Sequence, residues 1–233
     1  MIYNQHRKTE RAEQGKYIEK FFLGEILRSQ YLKVLGMTPE QIKEKNIEDF
    51  NIYEKILKER EPRYEDKLRL MKETQPWSDA TNPKNQYARE LRILVAKGLM
   101  GDNFDNSRLL YYTALETHLD IFNQTDAMFE YYDKSGKNLI CRLTFDLKTT
   151  VEIGGSILNI SESEADDIEE KMAEIKQNSQ KFREMGEISE EAQNLKKEIE
   201  IKKDILMEKI RKHLNKWSKQ IVKGIHKYEL DMV

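Results

Sequence analysis

Apolar residues recur every three or four positions over most of the chain, and every second position over one stretch only. The first spacing marks one face of a helix and the second one face of a strand. From about Thr9 to Gly36, Tyr17, Phe21, Ile26 or Leu27, and Leu32 return at helical intervals among charges, predicting a helix with a core-facing stripe. Thr38-Pro39-Glu40-Gln41 combines an N-cap, a first-turn proline and a capping-box glutamine, so a helix starts there. Helical stretches continue to about Glu73, with a break near Pro62. Gln75 to Pro83 mixes prolines with turn formers and reads as a loop held by Trp77. A helix is predicted over about Gln86 to Leu99, with Gly98 and Gly101 as stop signals. Asp105 or Asn106 then caps a helix from about Ser107 to Phe122, whose stripe is Leu109, Tyr112, Leu115, Leu119 and Phe122.

The alternating stretch follows. Leu139, Cys141, Leu143, Phe145 and Leu147 fall on one strand face, and Arg142, Thr144, Asp146 and Lys148 on the other. Asp133-Lys134-Ser135-Gly136 suits a turn with Gly136 in a left-handed conformation, giving a three-residue hairpin loop with a bulge. In that register Asp133 pairs with Lys137 and Asp126 faces Thr144, which leaves Asp126 diagonal to Asp146 on one sheet face. Thr149 to Ile160 is a further strand or an irregular connection, bent at Gly154-Gly155.

Ser161-Glu162-Ser163-Glu164 starts a long acidic helix to about Met185. Gly186 stops it, and Ser189 restarts a helix to about Tyr228. This last helix carries Lys209, Arg211, Lys212, Lys216, Lys219 and Lys223, while Ile210, Leu214, Trp217, Ile221, Ile225 and Tyr228 form its apolar stripe. An antiparallel hairpin of acidic arm against basic arm follows. The fold class is therefore α+β and predominantly helical, with a small antiparallel sheet packed by helices and a long C-terminal α-helical hairpin. The organisation is a helical region over 1–75, an α/β core over 76–160 and the hairpin over 161–233.

Composition narrows the functional classes. Lys+Arg 40 against Asp+Glu 42 gives no net field for nucleic acid, so only local clusters can attract it. The single cysteine, Cys141, can form neither an internal disulfide nor a thiolate zinc cage. His6, His118, His213 and His226 share no ligand spacing, and Gly98 to Gly101 lacks the lysine and hydroxyl of a phosphate loop. No apolar run is long enough for a membrane span or a secretory signal, so a soluble, cytoplasmic protein is expected.

What remains is the hairpin mouth. Diagonal neighbours in a sheet lie about 7–8 Å apart at Cα, a gap that a cation with oxygen ligands at about 2.0–2.1 Å and retained waters can bridge. Asp126 and Asp146 are thus candidate ligands for Mg²⁺ or Mn²⁺, with Lys148 beside them to orient a water or stabilise phosphate charge. Glu116 and Asp120, one helical turn apart, lean towards the same mouth as further metal ligands.

Here the chain resembles the PD-(D/E)XK nuclease superfamily over Glu116 to Thr150. Asp126 looks like its first metal-binding aspartate, Asp146-Leu147-Lys148 like its acid-X-lysine triplet, and Glu116 or Asp120 like its helix-borne acid. Thr125 stands where the superfamily often has proline, and no strand is identifiable among the helices after Ser161 to match its last one. The resemblance implies a magnesium-dependent endo- or exonuclease acting on DNA, in restriction, repair, recombination, phage or mobile-element biology, with RNA as another substrate. The basic helix is read either as a phosphate-backbone tracker or as the complement of the acidic helix. A different class fits the C-terminal hairpin alone: a non-enzymatic scaffold that dimerises or binds a protein partner through it.

Overall fold

The computed structural model describes residues 16–34, 36–44, 56, 60–148, 157–185 and 189–231. Its helices are α1 (16–23), α2 (Arg28–Val34), α3 (Pro39–Glu44), α4 (Tyr64–Glu73), α5 (Gln86–Met100), α6 (His118–Asn123), α7 (Glu162–Met185) and α8 (Glu190–Asp231). The strands are β1 (Leu109–Thr113), β2 (Ala127–Tyr132), β3 (Leu139–Lys148) and β4 (Ile157–Asn159), in the order β1-β2-β3-β4. β1, β2 and β3 are antiparallel, and β4 runs parallel to β3. The α+β reading holds.

Caps and stops account for several boundaries. Thr38 and Gln41 exchange their capping-box bonds at the start of α3, at 3.0 and 3.2 Å. Ser161 and Glu164 do the same before α7, where Glu164 N–H donates to Ser161 Oγ and Ser161 N–H to Glu164 Oε2. The single helix expected from Thr9 to Gly36 is instead two, because Gly24 takes φ 77° and turns the chain between α1 and α2. A Cβ there would lie 3.2 Å from Asn85 and 3.3 Å from Trp77, so the turn is also a close approach. The buried stripe of α1 is Ile18 and Phe22, whereas Tyr17 and Leu27 are exposed.

The helix expected over Ser107–Phe122 is the main error of the sequence reading. Asp105 does cap a turn, accepting from Ser107 N–H, but only a short 3₁₀ segment (Asn106–Arg108) follows before β1. Leu109-Leu110-Tyr111-Tyr112-Thr113 is nearly continuously buried, and a run buried on both faces lacks the alternation that distinguishes strand from helix. Pairing with β2 decides the conformation. Only from Thr117, whose Oγ1 accepts from Leu119 N–H, does a helix begin.

The sheet is covered on both faces. One face packs against α1, α5, α7 and α8 in a single apolar cluster that includes Ile18, Leu91, Phe129, Ile168 and Trp217. This cluster draws on all three of the expected segments. On the other face Leu68 and Met71 of α4 and Leu119 of α6 meet Tyr112 and Met128. There Glu130, fully buried, accepts from Lys72 at 2.7 Å and Arg142 at 2.9 Å, so the carboxylate stays charged and below its ordinary pKa in spite of burial.

Gly98 does not stop α5. It lies inside the helix, and a Cβ at that position would sit 2.7 Å from Val222 Cγ2, so its role is to let α8 approach. Gly101, at φ 82°, is the C-cap. Because Val222 is stiff at χ1, Gly98→Leu is expected to destabilise the fold by about 1–3 kcal/mol. Urea denaturation followed by circular dichroism measures this, and an unchanged midpoint would rule out the close-approach role.

α7 and α8 form the expected antiparallel hairpin. Asp167 pairs with Lys209, Glu174 with Lys202 and Asn178 with Glu198, so each advance along α7 is matched by the same retreat along α8. Of the last helix's predicted stripe, Ile210, Leu214, Trp217, Ile221 and Ile225 are buried, and Tyr228 is exposed. Among the described residues no helix is long and apolar enough to cross a membrane. Gly186 and Gly154-Gly155 lie outside the described residues.

Candidate active site

The β2–β3 ladder starts with Ala127 opposite Phe145, so Asp126 adjoins Asp146 directly instead of lying diagonal to it. The expected register was two residues off. Gly136 is left-handed as expected, at φ 69°, but the loop closes between Asp133 and Asn138, and the bulge falls at Ile140, between the Tyr131–Cys141 and Tyr132–Leu139 pairs. A shift of two conserves the side-chain face. Asp126 lies just outside β2, however, and turns its carboxylate onto the β3 backbone at Leu147 N–H, while its charge acts on that of Asp146.

Each side chain at this sheet end is held by a separate element. Asp126 is pinned in the backbone, its N–H donating to Phe145 and its carbonyl accepting from Ala114 N–H at 2.7 Å. Its carboxylate is 4% exposed, and Oδ2 accepts from Leu147 N–H at 2.6 Å. Asp146 and Lys148, on the half-buried face of β3, form an ion pair at 3.0 Å. β4 supports them from the sheet edge by pairing Ile157 with Asp146 and Asn159 with Lys148. As the sequence suggested, no strand follows Ser161 among the described residues.

Asp120 sits in the first turn of α6, and its Oδ2 accepts from Glu116 N–H at 2.7 Å. Glu116 is not on that helix. It occupies a left-handed turn at φ 62°, buried, with Oε1 3.2 Å from Lys20 Nζ. A non-glycine residue held there is strained, as is common around functional sites.

The acid that sequence reasoning missed is Glu19. It comes from α1, far upstream in the chain, where it neighbours buried Ile18 and lies one turn before buried Phe22. Its pKa is raised to about 7, first by burial and then by the carboxylates of Asp120 and Asp146, against the opposing charges of Lys16 and Lys20. Asp126 is likewise pushed well above the usual carboxylate range, by burial and then by Glu19, with Asp120 and Asp146 adding to it. The Leu147 N–H bond opposes this only in part. Glu19, Asp120, Asp126 and Asp146 thus sit within one electrostatic neighbourhood. A position on an amphipathic helix gives no local sign of this, because the partners are brought in by tertiary packing.

Oxygen-only donors suit a hard divalent cation such as Mg²⁺ or Mn²⁺, and repelling carboxylates gain most from positive charge. In chemistry the set fits. It is not drawn in around one point, since among the described residues no three His, Cys, Asp or Glu side chains gather at metal-binding spacing. Asp126 and Asp146 are instead engaged by Leu147 N–H and Lys148.

The basic residues of α8 divide. Lys209 is bound to Asp167, Arg211 lies 3.6 Å from Glu90 of α5, and Lys212 lies 3.5 Å from Glu208. Lys216, Lys219 and Lys223 are exposed. The chain matches no protein-family model, no curated protein and no solved structure.

Proposed function

We propose that the protein is a metal-dependent nuclease that hydrolyses phosphodiester bonds in DNA, with its site at the β2–β3 sheet end. The observation that carries this reading is the placement of Asp126 beside Asp146 with Lys148 two residues further on, joined by Glu19 and Asp120. Asp126, Asp146, Glu19 and Asp120 are the residues that would hold Mg²⁺ or Mn²⁺, and Glu116, engaged by Lys20, positions the turn that carries Asp120. A bound divalent cation supplies Lewis-acid charge that lowers the pKa of water and neutralises the phosphate. Lys148, steadied by Asp146, orients the attacking water and stabilises the charge that builds on the phosphoryl oxygens.

Purified protein with Mg²⁺ or Mn²⁺ is expected to cut duplex, single-stranded or branched DNA and to stop on addition of a chelator. Lys148→Ala is expected to slow cutting about 10²-fold. Full activity in that variant would place the chemistry elsewhere, and preferential cutting of RNA would reassign the substrate. A second reading, a scaffold that associates through the C-terminal hairpin, is favoured by the exposed pair Ile201 and Ile205, one turn apart on α8. Concentration-dependent association in light scattering, together with no cleavage of any nucleic acid, would support it instead.

A further inference from the structure

Resting on the nuclease reading, we infer that Tyr31 is a positioning residue for the divalent cation, acting through His118 on the turn that presents Asp120. His118 opens α6, and its N–H donates to the Tyr31 hydroxyl at 2.8 Å. The same hydroxyl pairs with His118 Nδ1 at 2.6 Å, so one oxygen grips both the main chain and the ring of that residue. Both side chains are buried, and their rings meet edge to face with centroids 6.0 Å apart.

The first N–H groups of a helix find no partner within it, and a helix of six residues gains too little from its own bonds to hold itself. Thr117 Oγ1 accepts from Leu119 N–H within the turn, whereas His118 N–H is satisfied by a side chain 87 residues upstream. That side chain is itself anchored. Leu27 N–H donates to the Thr74 carbonyl at 3.2 Å and Gln30 Nε2 to the Glu73 carbonyl, which ties α2 to the end of α4. The ring of Tyr31 sits in an apolar cluster with Ile26, Leu32 and Phe122, a place that phenylalanine would fill equally well. The hydroxyl is the added element. Burying it is unfavourable unless it is paired, and its bonds to His118 converge on the first residue of α6.

Two residues further on, Asp120 reaches back to accept from Glu116 N–H at 2.7 Å, and Glu116 keeps its left-handed φ of 62°. The stretch from Glu116 to Asp120 is thus a closed unit with His118 at its centre. Strained backbone persists only where the surroundings over-determine it, and here Lys20 holds Glu116 while Tyr31 holds His118. Loss of a group that orients a metal's ligands costs about 10–100-fold in metal affinity. Tyr31 is fully buried and cannot touch a substrate, so its effect falls on cation affinity and not on the chemical step.

The test titrates Mn²⁺ into the full-length chain and counts the free ion by electron paramagnetic resonance. Tyr31→Phe removes the hydroxyl and leaves the ring in its cluster, so the fold is expected to survive, as circular dichroism checks. Mn²⁺ is expected to bind this variant at least about tenfold more weakly. In DNA cleavage the Mg²⁺ concentration at half-maximal rate is expected to rise by a similar factor, while the rate at saturating Mg²⁺ stays near that of wild type. Tyr131→Phe controls for the loss of a buried hydroxyl, because Tyr131 accepts from Arg108 at 2.9 Å at the opposite end of β2, and its Mn²⁺ affinity is expected to match wild type. Equal Mn²⁺ affinity in Tyr31→Phe and wild type, equal weakening in the two variants, or no Mn²⁺ binding by wild type would overturn the assignment. Should Tyr31→Phe not fold, His118→Ala, which removes the ring and keeps the main-chain bond, carries the same expectation and the same refutation. If Tyr31→Phe weakens Mn²⁺ binding but wild type cuts no nucleic acid, the positioning role stands and the nuclease reading fails. If wild type cuts DNA and Tyr31→Phe binds Mn²⁺ as tightly, the nuclease reading stands and the positioning role fails.

Discussion

Asp146→Asn is expected to lower Mg²⁺-dependent DNA cleavage by about 10³-fold or more, since charge stabilisation by a bound cation contributes several kcal/mol and each 1.36 kcal/mol is about tenfold. Two effects combine in that loss. The substitution removes an anionic ligand, and it releases Lys148 from the 3.0 Å contact that steadies it. Asparagine keeps the shape of the side chain at a half-buried strand position, so the fold is expected to survive. Glu19→Gln offers a sharper comparison, because that residue is tied to the site by electrostatics and lies far from the β-hairpin in sequence. A reduction of about 10²-fold there, with unchanged circular dichroism, would place α1 in the reaction. Wild-type rates for both variants under single-turnover conditions would remove the carboxylate cluster from the chemistry altogether.

The second large effect is on stability. Glu19 and Asp126 hold their protons more tightly in the folded protein than in an unfolded chain. As pH rises from about 4.5 to about 7, the unfolded state has already released the Glu19 proton that the folded state retains, so the stability of the metal-free protein falls across this window. For Glu19 the loss is about 2–3 kcal/mol, fully present above pH 7. Asp126→Asn removes one member of the repelling set while its side-chain oxygen still accepts from Leu147 N–H. That variant is expected to melt several degrees higher than wild type at pH 7.5 without metal, and to lose cleavage at the same time. Wild type is expected to gain stability from added Mg²⁺ or Mn²⁺, and the variant to gain little. A melting temperature that rises between pH 4.5 and 7, or a variant that melts lower, would show that the carboxylates are not forced together.

Much of this protein was legible where local chemistry decides structure. The capping boxes at Thr38 and Ser161 set helix starts that no distant contact alters. The alternation in β3 identified the face bearing Asp146 and Lys148, and the long stripe from Ile210 to Ile225 identified the side of α8 that meets the core. Reading failed where burial erased the pattern. β1 is apolar on both faces, so Leu109, Tyr112 and Leu115 satisfied helical spacing by accident. The hairpin register was misplaced by one residue because the loop closes at Asn138 and by one more because the bulge sits at Ile140, a residue with no glycine or proline to mark it. Glu19 could not be found from sequence at all, since its role depends on where Gly24 and the Phe22–Trp217 contact place α1.

The length of α8 has a mechanical consequence. At 42 residues it is a continuous rod of about 63 Å, stiff over its whole length in the way a loop is not. Trp217 on this rod packs edge-on against Phe22 at 4.8 Å, one helical turn from Glu19. One unbroken helix thus joins the α7 contacts of Glu198 and Lys202 to the helix that carries a site carboxylate.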